Sequence, residues 1–244
     1  MLITNPPLVP KPAVDIKSVN IFLGMLAHEM RSQISGIYTI TNMLLQEEKD
    51  AENASYYLSH INSLSSNVLH VLNNMVTTTD IDSAGINLKA NLSSIKIREW
   101  LRAHIRQYDL TVVGKVIKLK LRIKRNVPVY ITSDAVKLGQ ILRNLIDNAL
   151  KYAPDGTSIY IDLSAEGKKH LSIHVTNKGC IIPADKEHLL FRPFQVLDQG
   201  MAGMGLGLYV SKLYAATLGG DLVLGNNTKG TTFSFLLSAA PRSK

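Results

Sequence analysis

The sequence predicts an α+β chain: an antiparallel helical hairpin that pairs with a second copy into a dimeric four-helix bundle, followed by an α/β sandwich. Three observations lead there. The N-terminal third holds two long proline-free stretches with apolar residues at steps of three and four. Past residue 80 the composition changes to short strands alternating with helices. The chain has 244 residues, 45% hydrophobic and 19% charged, which suits two globular domains and excludes a disordered polymer.

The first stretch, about 18 to 47, carries Phe22, Leu23, Leu26, Met30, Ile34, Ile37, Ile40 and Leu44. The second, about 51 to 79, carries Tyr57, Leu58, Ile61, Leu64, Val68, Leu72 and Met75 at the same spacing. Such periodicity marks amphipathic helices, and the polar segment QEEKDAEN between them is a short turn. A lone hairpin leaves half of its apolar surface wet, so two copies closing a four-helix bundle follow from the pattern. Residues 1–17, with three prolines in the first ten, read as an extended leader or linker, and the hairpin domain as 18–82.

After a boundary near 80–87, residues 83–244 read as the sandwich. IDSAGINLK makes a loop and a first strand, IKIREWLRAHIRQYDL a helix, and KVIKLKLRI and VYITSD strands. A helix over 134–152, strands over 158–164 and 170–176, a glycine-bearing stretch, a helix over 206–218 and strands near 221–224 and 231–238 complete it. Mixed strands with three helices on one face define the layer architecture.

Bulk chemistry narrows the function. The formal charge is +8, but lysine and arginine are scattered and densest in 115–125, where they alternate with apolar residues as on a strand with one solvated face. That pattern argues against nucleic acid and suits acidic partners. One cysteine, Cys180, excludes an intrachain disulfide and a zinc cluster and fits a reducing, cytoplasmic setting. No apolar run reaches the roughly 20 residues of a membrane span, and the N-terminus has no signal-peptide pattern.

Two constellations carry chemistry. On a helix, Asn144, Asn148 and Lys151 fall at about 0°, 40° and −20°, one polar line, while Leu138, Ile141, Leu145 and Ala149 occupy the core side. Amide oxygens suit a Mg2+ ion shared with phosphates, because Mg2+ takes few protein ligands, and Lys151 adds positive charge. Gly203, Gly205 and Gly207 precede a helix whose first N–H groups attract phosphate. His28 lies two residues from both Leu26 and Met30, about 200° round the helix from each, which turns it away from the buried stripe and beside the carboxylate of Glu29.

In this order the chain resembles the sensor histidine kinases of two-component signalling over about 20 to 240. AHEMRS (27–32) is similar to the phosphoacceptor box, NLIDNALKY (144–152) to the asparagine box, and TNKGCIIP (176–183) to the first glycine box. FRPF (191–194) looks like the phenylalanine box, GMGLGL (203–208) the second glycine box, and GTTFSF (230–235) the closing strand signature. The resemblance implies an ATP-binding sandwich of the histidine-kinase ATPase type, with Mg2+ on Asn148 under a lid of roughly 183–204. It also implies nucleotide contacts from Tyr152, Asn177, Gly179, Ile182, Phe191, Leu206, Leu208 and Thr231. His28 would be the phosphoacceptor, Glu29 its proton acceptor, and Ser32, one turn on, a positioner of water. A homodimer and a response-regulator receiver domain are the implied partners, in the cytoplasm or on the cytoplasmic portion of a membrane-anchored sensor.

The chain departs from the family at three positions. The first glycine box normally reads Asp-x-Gly-x-Gly-Ile; here Asn177 stands for the aspartate and Ile181 for the second glycine. Hydrogen bonds to a charged group are worth about 1 kcal/mol more than neutral ones, so Asn177 predicts weakened ATP binding. Ile181 predicts backbone trouble if the site needs a glycine conformation. Gln33 replaces a usual proline, so the helix should run on past the phosphoacceptor. The alternatives are a degenerate kinase acting as a dimeric phosphotransfer scaffold or receiver phosphatase without ATP binding, and another ATPase of the sandwich fold. The hairpin and its histidine argue against the last.

Overall fold

The computed structural model describes residues 16–46, helical positions between 54 and 72, and residues 89–106, 108, 116–167, 170–179, 181–196, 205–227 and 230–238. Helix α1, Ile16–Gln46, runs unbroken through Gln33, as the missing proline predicts. Helical backbone recurs at described positions from 54 to 72. The two pack closely at Gly36, where a Cβ would sit 3.0 Å from Leu64 Cδ1. In the single chain Ile34, Tyr38, Leu45 and Leu58 remain exposed. The expected turn and the expected domain boundary lie outside the described residues.

The second region is built on a mixed sheet. Strand β1 spans Ser93–Lys96, α2 Ile97–Arg106, β2 Lys118–Ile123, β3 Tyr130–Ser133, and α3 Ala135–Tyr152. Strands β4 (Ser158–Glu166) and β5 (His170–Asn177) follow, then a 3-10 helix at Ala184–Leu189, α4 (Gly207–Thr217), β6 (Asp221–Asn227) and β7 (Gly230–Ser238). Five strands form one sheet in the order β2-β4-β5-β7-β6, and β1 and β3 form a separate antiparallel pair. Only β2–β4 is parallel; β5 sits centrally between β4 and β7.

Alternation divides the sheet's faces. Ile159, Ile161 and Leu163 of β4, Leu171, Ile173 and Val175 of β5, and Phe233, Phe235 and Leu237 of β7 are buried against the helices. The opposite face carries paired polar groups: Arg122 bridges Asp162 from β2 to β4, His174 meets Ser234, and Thr176 meets Thr232. Lys118, Lys120 and Arg122 are exposed while Leu119, Leu121 and Ile123 turn inward, so the densest basic segment is a strand with one solvated face. From the helices come Ile97, Leu101 and Ile105 of α2, Leu138, Ile141, Leu145 and Ala149 of α3, and Val210 and Leu213 of α4. Each fully buried Leu or Ile contributes roughly 1.5–3 kcal/mol, so truncating one inside α3 costs about 2–5 kcal/mol.

The sequence places a loop and possible first strand in 81–89, of which 81–88 lie outside the described residues, and starts a helix at 95; the structure has a strand at Ser93–Lys96, and the helix α2 begins directly after it. Ile95 pairs with Ile131 across β1 and β3, and that tertiary pairing overrides a local pattern compatible with a helix start. At the head of α3, Asp134 is the N-cap: Oδ1 accepts from Val136 N and Lys137 N, both at 3.0 Å, and Oδ2 from Asn91 N at 2.9 Å and Lys137 Nζ at 3.0 Å. Burial opposes its ionisation, but these donors and the Lys137 charge outweigh it and hold the carboxyl below the usual carboxylate range.

Candidate functional site

The C-terminal half of α3 approaches α4 through Asn144, which is 5% exposed. Its Nδ2 donates to Gly207 O at 2.8 Å and to Ser211 Oγ at 2.9 Å. Asn144 and Gly207 are therefore brought into direct contact, with the amide fastening the first turn of α4 to α3. Gly207 has only ordinary contact with that side chain, 3.5 Å from an added Cβ. Leu206, the N-cap of α4, supplies no side-chain acceptor. Farther along the same line, Asn148 and Lys151 are half-buried. The Asn148 side chain has no hydrogen-bond partner among the described residues, while the Lys151 ammonium lies 5.0 Å from the Tyr152 ring centre.

Asn177 closes β5 opposite Thr231 of β7, and both are 4% exposed. Among the described residues no acceptor meets Asn177 Nδ2, although it is buried. The loop after β5 lies directly on this side chain. A Cβ at Gly179 would collide with Asn177 Nδ2 and come within 2.7 Å of Tyr152 O, so only glycine allows the loop this close to the end of α3. Tyr152, Asn177, Gly179 and Thr231 thus gather at one place. Ile182, Phe191 and Leu208, each partly buried, pack on the margin of the core. Ile181 is 51% exposed and is not among the residues with positive φ, so the substitution that threatened strain turns its side chain to solvent.

The segment after Phe191 is stapled to the second glycine stretch. Phe194 N donates to Gly205 O at 3.1 Å, and a Cβ on Gly205, whose φ is +65°, would lie 2.6 Å from the Gln195 backbone. Phe194 itself has φ +64°, the one such non-glycine among the described residues. Strain of that kind concentrates at binding sites and moving segments. Residues 197–204, including Gly203, lie outside the described residues, as does Cys180. Phe191 also faces a cation, with Lys212 Nζ 5.0 Å from its ring centre.

His28 and Glu29 are in the continuous backbone of α1, but their side chains lie outside the described residues. Ser32, one turn on, is exposed. Sequence reasoning missed Ser211, whose only signal is its position four residues after Gly207 on the turn facing Asn144. It also missed the Phe194–Gly205 staple, for which a phenylalanine with positive φ gives no signal at all.

With that geometry in hand, known proteins define the class first. Residues 133–241 match the family model described as histidine kinase-, DNA gyrase B-, and HSP90-like ATPase. The sensor histidine kinase RcsC of Escherichia coli (strain K12) is 30% identical over 211 residues, 84% of this chain and 22% of its own. Full-length ShkA, solved in complex with AMPPNP, superposes with a TM-score of 0.63 at 24% identity, covering 91% of this chain and 46% of that one. ThkA in complex with the response regulator TrrA gives 0.60 at 18% identity, covering 94% and 64%. By sequence the chain belongs with the sensor histidine kinases, and it carries their type of ATPase domain. It spans about a quarter of the length of the curated relatives it matches.

Proposed function

We propose that this chain is the core of a two-component sensor histidine kinase that binds ATP with Mg2+, phosphorylates His28 and passes the phosphoryl group to an aspartate of a response-regulator receiver domain. Residues 18–82 act as the dimerising phosphotransfer hairpin and 83–244 as the nucleotide-binding domain, in a cytoplasmic homodimer. One observation carries the reading: Tyr152, Asn177, Gly179 and Thr231 meet at one place, where α3 and β5 end, in a domain whose relatives are sensor kinases. The AMPPNP in the ShkA complex and the response regulator in the ThkA complex support nucleotide and receiver as ligands.

The residues present fit the group. Asn148, half-buried with its side-chain amide unpartnered among the described residues, would hold Mg2+, which supplies charge that screens the phosphates. Lys151 adds a second positive charge, and Asn144 positions the head of α4 rather than touching nucleotide, since its amide nitrogen is already engaged. A ring nitrogen of His28 attacks the γ-phosphorus in line, the bond to ADP breaks with its electron pair leaving on ADP, and Glu29 takes the proton from the other ring nitrogen. The receiver's carboxylate then attacks the same phosphorus, and the P–N bond returns its electrons to the imidazole. Ser32, on the same face as His28, orients water against the receiver's acyl phosphate.

A second reading draws on Asn177, an amide where a carboxylate would be expected: a dimeric phosphotransfer scaffold or receiver phosphatase that does not bind ATP. One assay separates the two. Label from [γ-32P]ATP with Mg2+ is expected on His28 and is abolished in His28→Gln. No label at millimolar ATP, with normal acceptance of phosphate from a phosphorylated receiver, supports the scaffold instead.

A further inference from the structure

We propose that the exposed cations around the turn between β2 and β3 dock this domain on an anionic lipid surface. That surface owes nothing to the nucleotide reading above. Arg98, Arg102 and Arg106 recur at steps of four along α2, so they share one side of the helix. Arg98 spends its guanidinium on the backbone of the turn. Its Nη2 donates to Lys124 O at 3.3 Å, Arg125 O at 2.9 Å and Val127 O at 2.8 Å. Asn126 Nδ2 adds a bond to Ala165 O at 3.1 Å, and Lys124 N one to Leu163 O at 2.9 Å. The turn is held by its backbone while the side chains of Lys124 and Arg125 stay exposed. Arg102 and Arg106 continue the exposed stripe along α2, and Lys118 and Lys120 continue it along the edge strand β2.

Positive charge is left over here. Among the described residues none of these six exposed cations makes an ion pair. The neighbouring carboxylates are already engaged: Asp162 by Arg122, Glu99 by Lys96, and Asp155 by the N–H groups of Val116 and Gly156. Glu166, exposed at the end of β4, is the one carboxylate there without a bond among the described residues. Directly after the turn, Val129 and Tyr130 are 60% and 56% exposed. Cations beside exposed apolar and aromatic side chains suit an anionic bilayer. Headgroup charges attract the cations, while Val129 and the Tyr130 ring enter the interface. The cations are spread over a helix, a turn and a strand edge. A folded partner must match such charges one by one; mobile headgroups gather under them.

Co-sedimentation of the full chain with vesicles tests this. Phosphatidylcholine alone is compared with phosphatidylcholine holding about 30% phosphatidylserine, in about 0.1 M salt. The expected result is partitioning at least about tenfold stronger on the anionic vesicles. Lys124→Glu should weaken it about tenfold and Val129→Asn about threefold. Both side chains are exposed, so neither change disturbs the core. Lys186→Glu makes the same change of net charge on the exposed 3-10 helix and should leave partitioning within about twofold. Equal partitioning on the two kinds of vesicle would overturn the inference. An equal loss in Lys124→Glu and Lys186→Glu would overturn it too, by making net charge rather than this surface the cause. Capture by immobilised poly-glutamate, with none by the anionic vesicles, would put an acidic protein in place of the lipid.

Discussion

Asn144 and Asn177 are buried to nearly the same depth, 5% and 4% exposed, one on α3 and one at the end of β5. At the α3–α4 junction the amide nitrogen of Asn144 is filled twice, by Gly207 O and Ser211 Oγ. At the end of β5 the amide nitrogen of Asn177 meets no acceptor among the described residues. Burying a polar group costs free energy unless it is paired, so the two describe different work. A filled amide is a fastening between helices. An unfilled one, closed over by Gly179, is a cost that the fold carries.

The largest expected effect lies at the filled end. Asn144→Leu removes one side chain but strands a buried acceptor at Ser211 and a part-buried one at Gly207, and should cost about 2–4 kcal/mol; a lowered urea midpoint with unchanged slope is the readout. An unaltered midpoint would mean that the fastening is not one. Next comes Asp134, a filled acceptor at the other end of α3. Asp134→Ala should cost about 1–2 kcal/mol through the lost cap. Because the folded-state carboxyl titrates below its unfolded value, this stabilisation is present above the unfolded aspartate pKa of about 3.9 and is lost as pH falls through the folded value. The gap between wild type and Asp134→Ala should therefore be constant near neutrality and shrink below about pH 4. A gap that widened in acid would contradict the capping account.

Gly205→Ala should cost about 1 kcal/mol or more, since it places a Cβ at positive φ against the Gln195 backbone. Thermal melts would register it, and the loss should be smaller if residues 194–195 can withdraw. The smallest stability effect belongs to Asn177→Leu. Replacing an amide whose donor is already unpaired by an apolar group of similar size should change stability by less than about 1 kcal/mol, while nucleotide binding is lost. A large destabilisation there would make Asn177 a fastening like Asn144 and erase the contrast.

Much of this was legible in the sequence. The asparagine helix, the central strands and α4 fall where periodicity puts them, because their apolar faces meet one shared core. Asn144 was legible as polar on the right line of α3, but not as inward-facing. That depends on α4 crossing at that level, a tertiary fact with no local trace. The strand at Ser93–Lys96, where a helix start was expected at 95, has the same origin, since Ile95 obeys Ile131 rather than its own neighbours. Asn177 was legible as an altered position, and Ile181 as a threat to the loop; the structure removes the threat by letting Ile181 face solvent. That the Asn177 donor would stand empty needed coordinates, because it depends on Gly179, Tyr152 and Thr231 meeting at one point.

The contrast between the two amides is open to direct observation in the 15N spectrum of the full-length chain, with side-chain NH2 signals assigned by their disappearance in Asn144→Leu and Asn177→Leu. Titration with ATP should move the Asn177 pair strongly and leave the Asn144 pair near its starting position. An Asn177 signal that stays fixed while ATP saturates the protein would contradict the account.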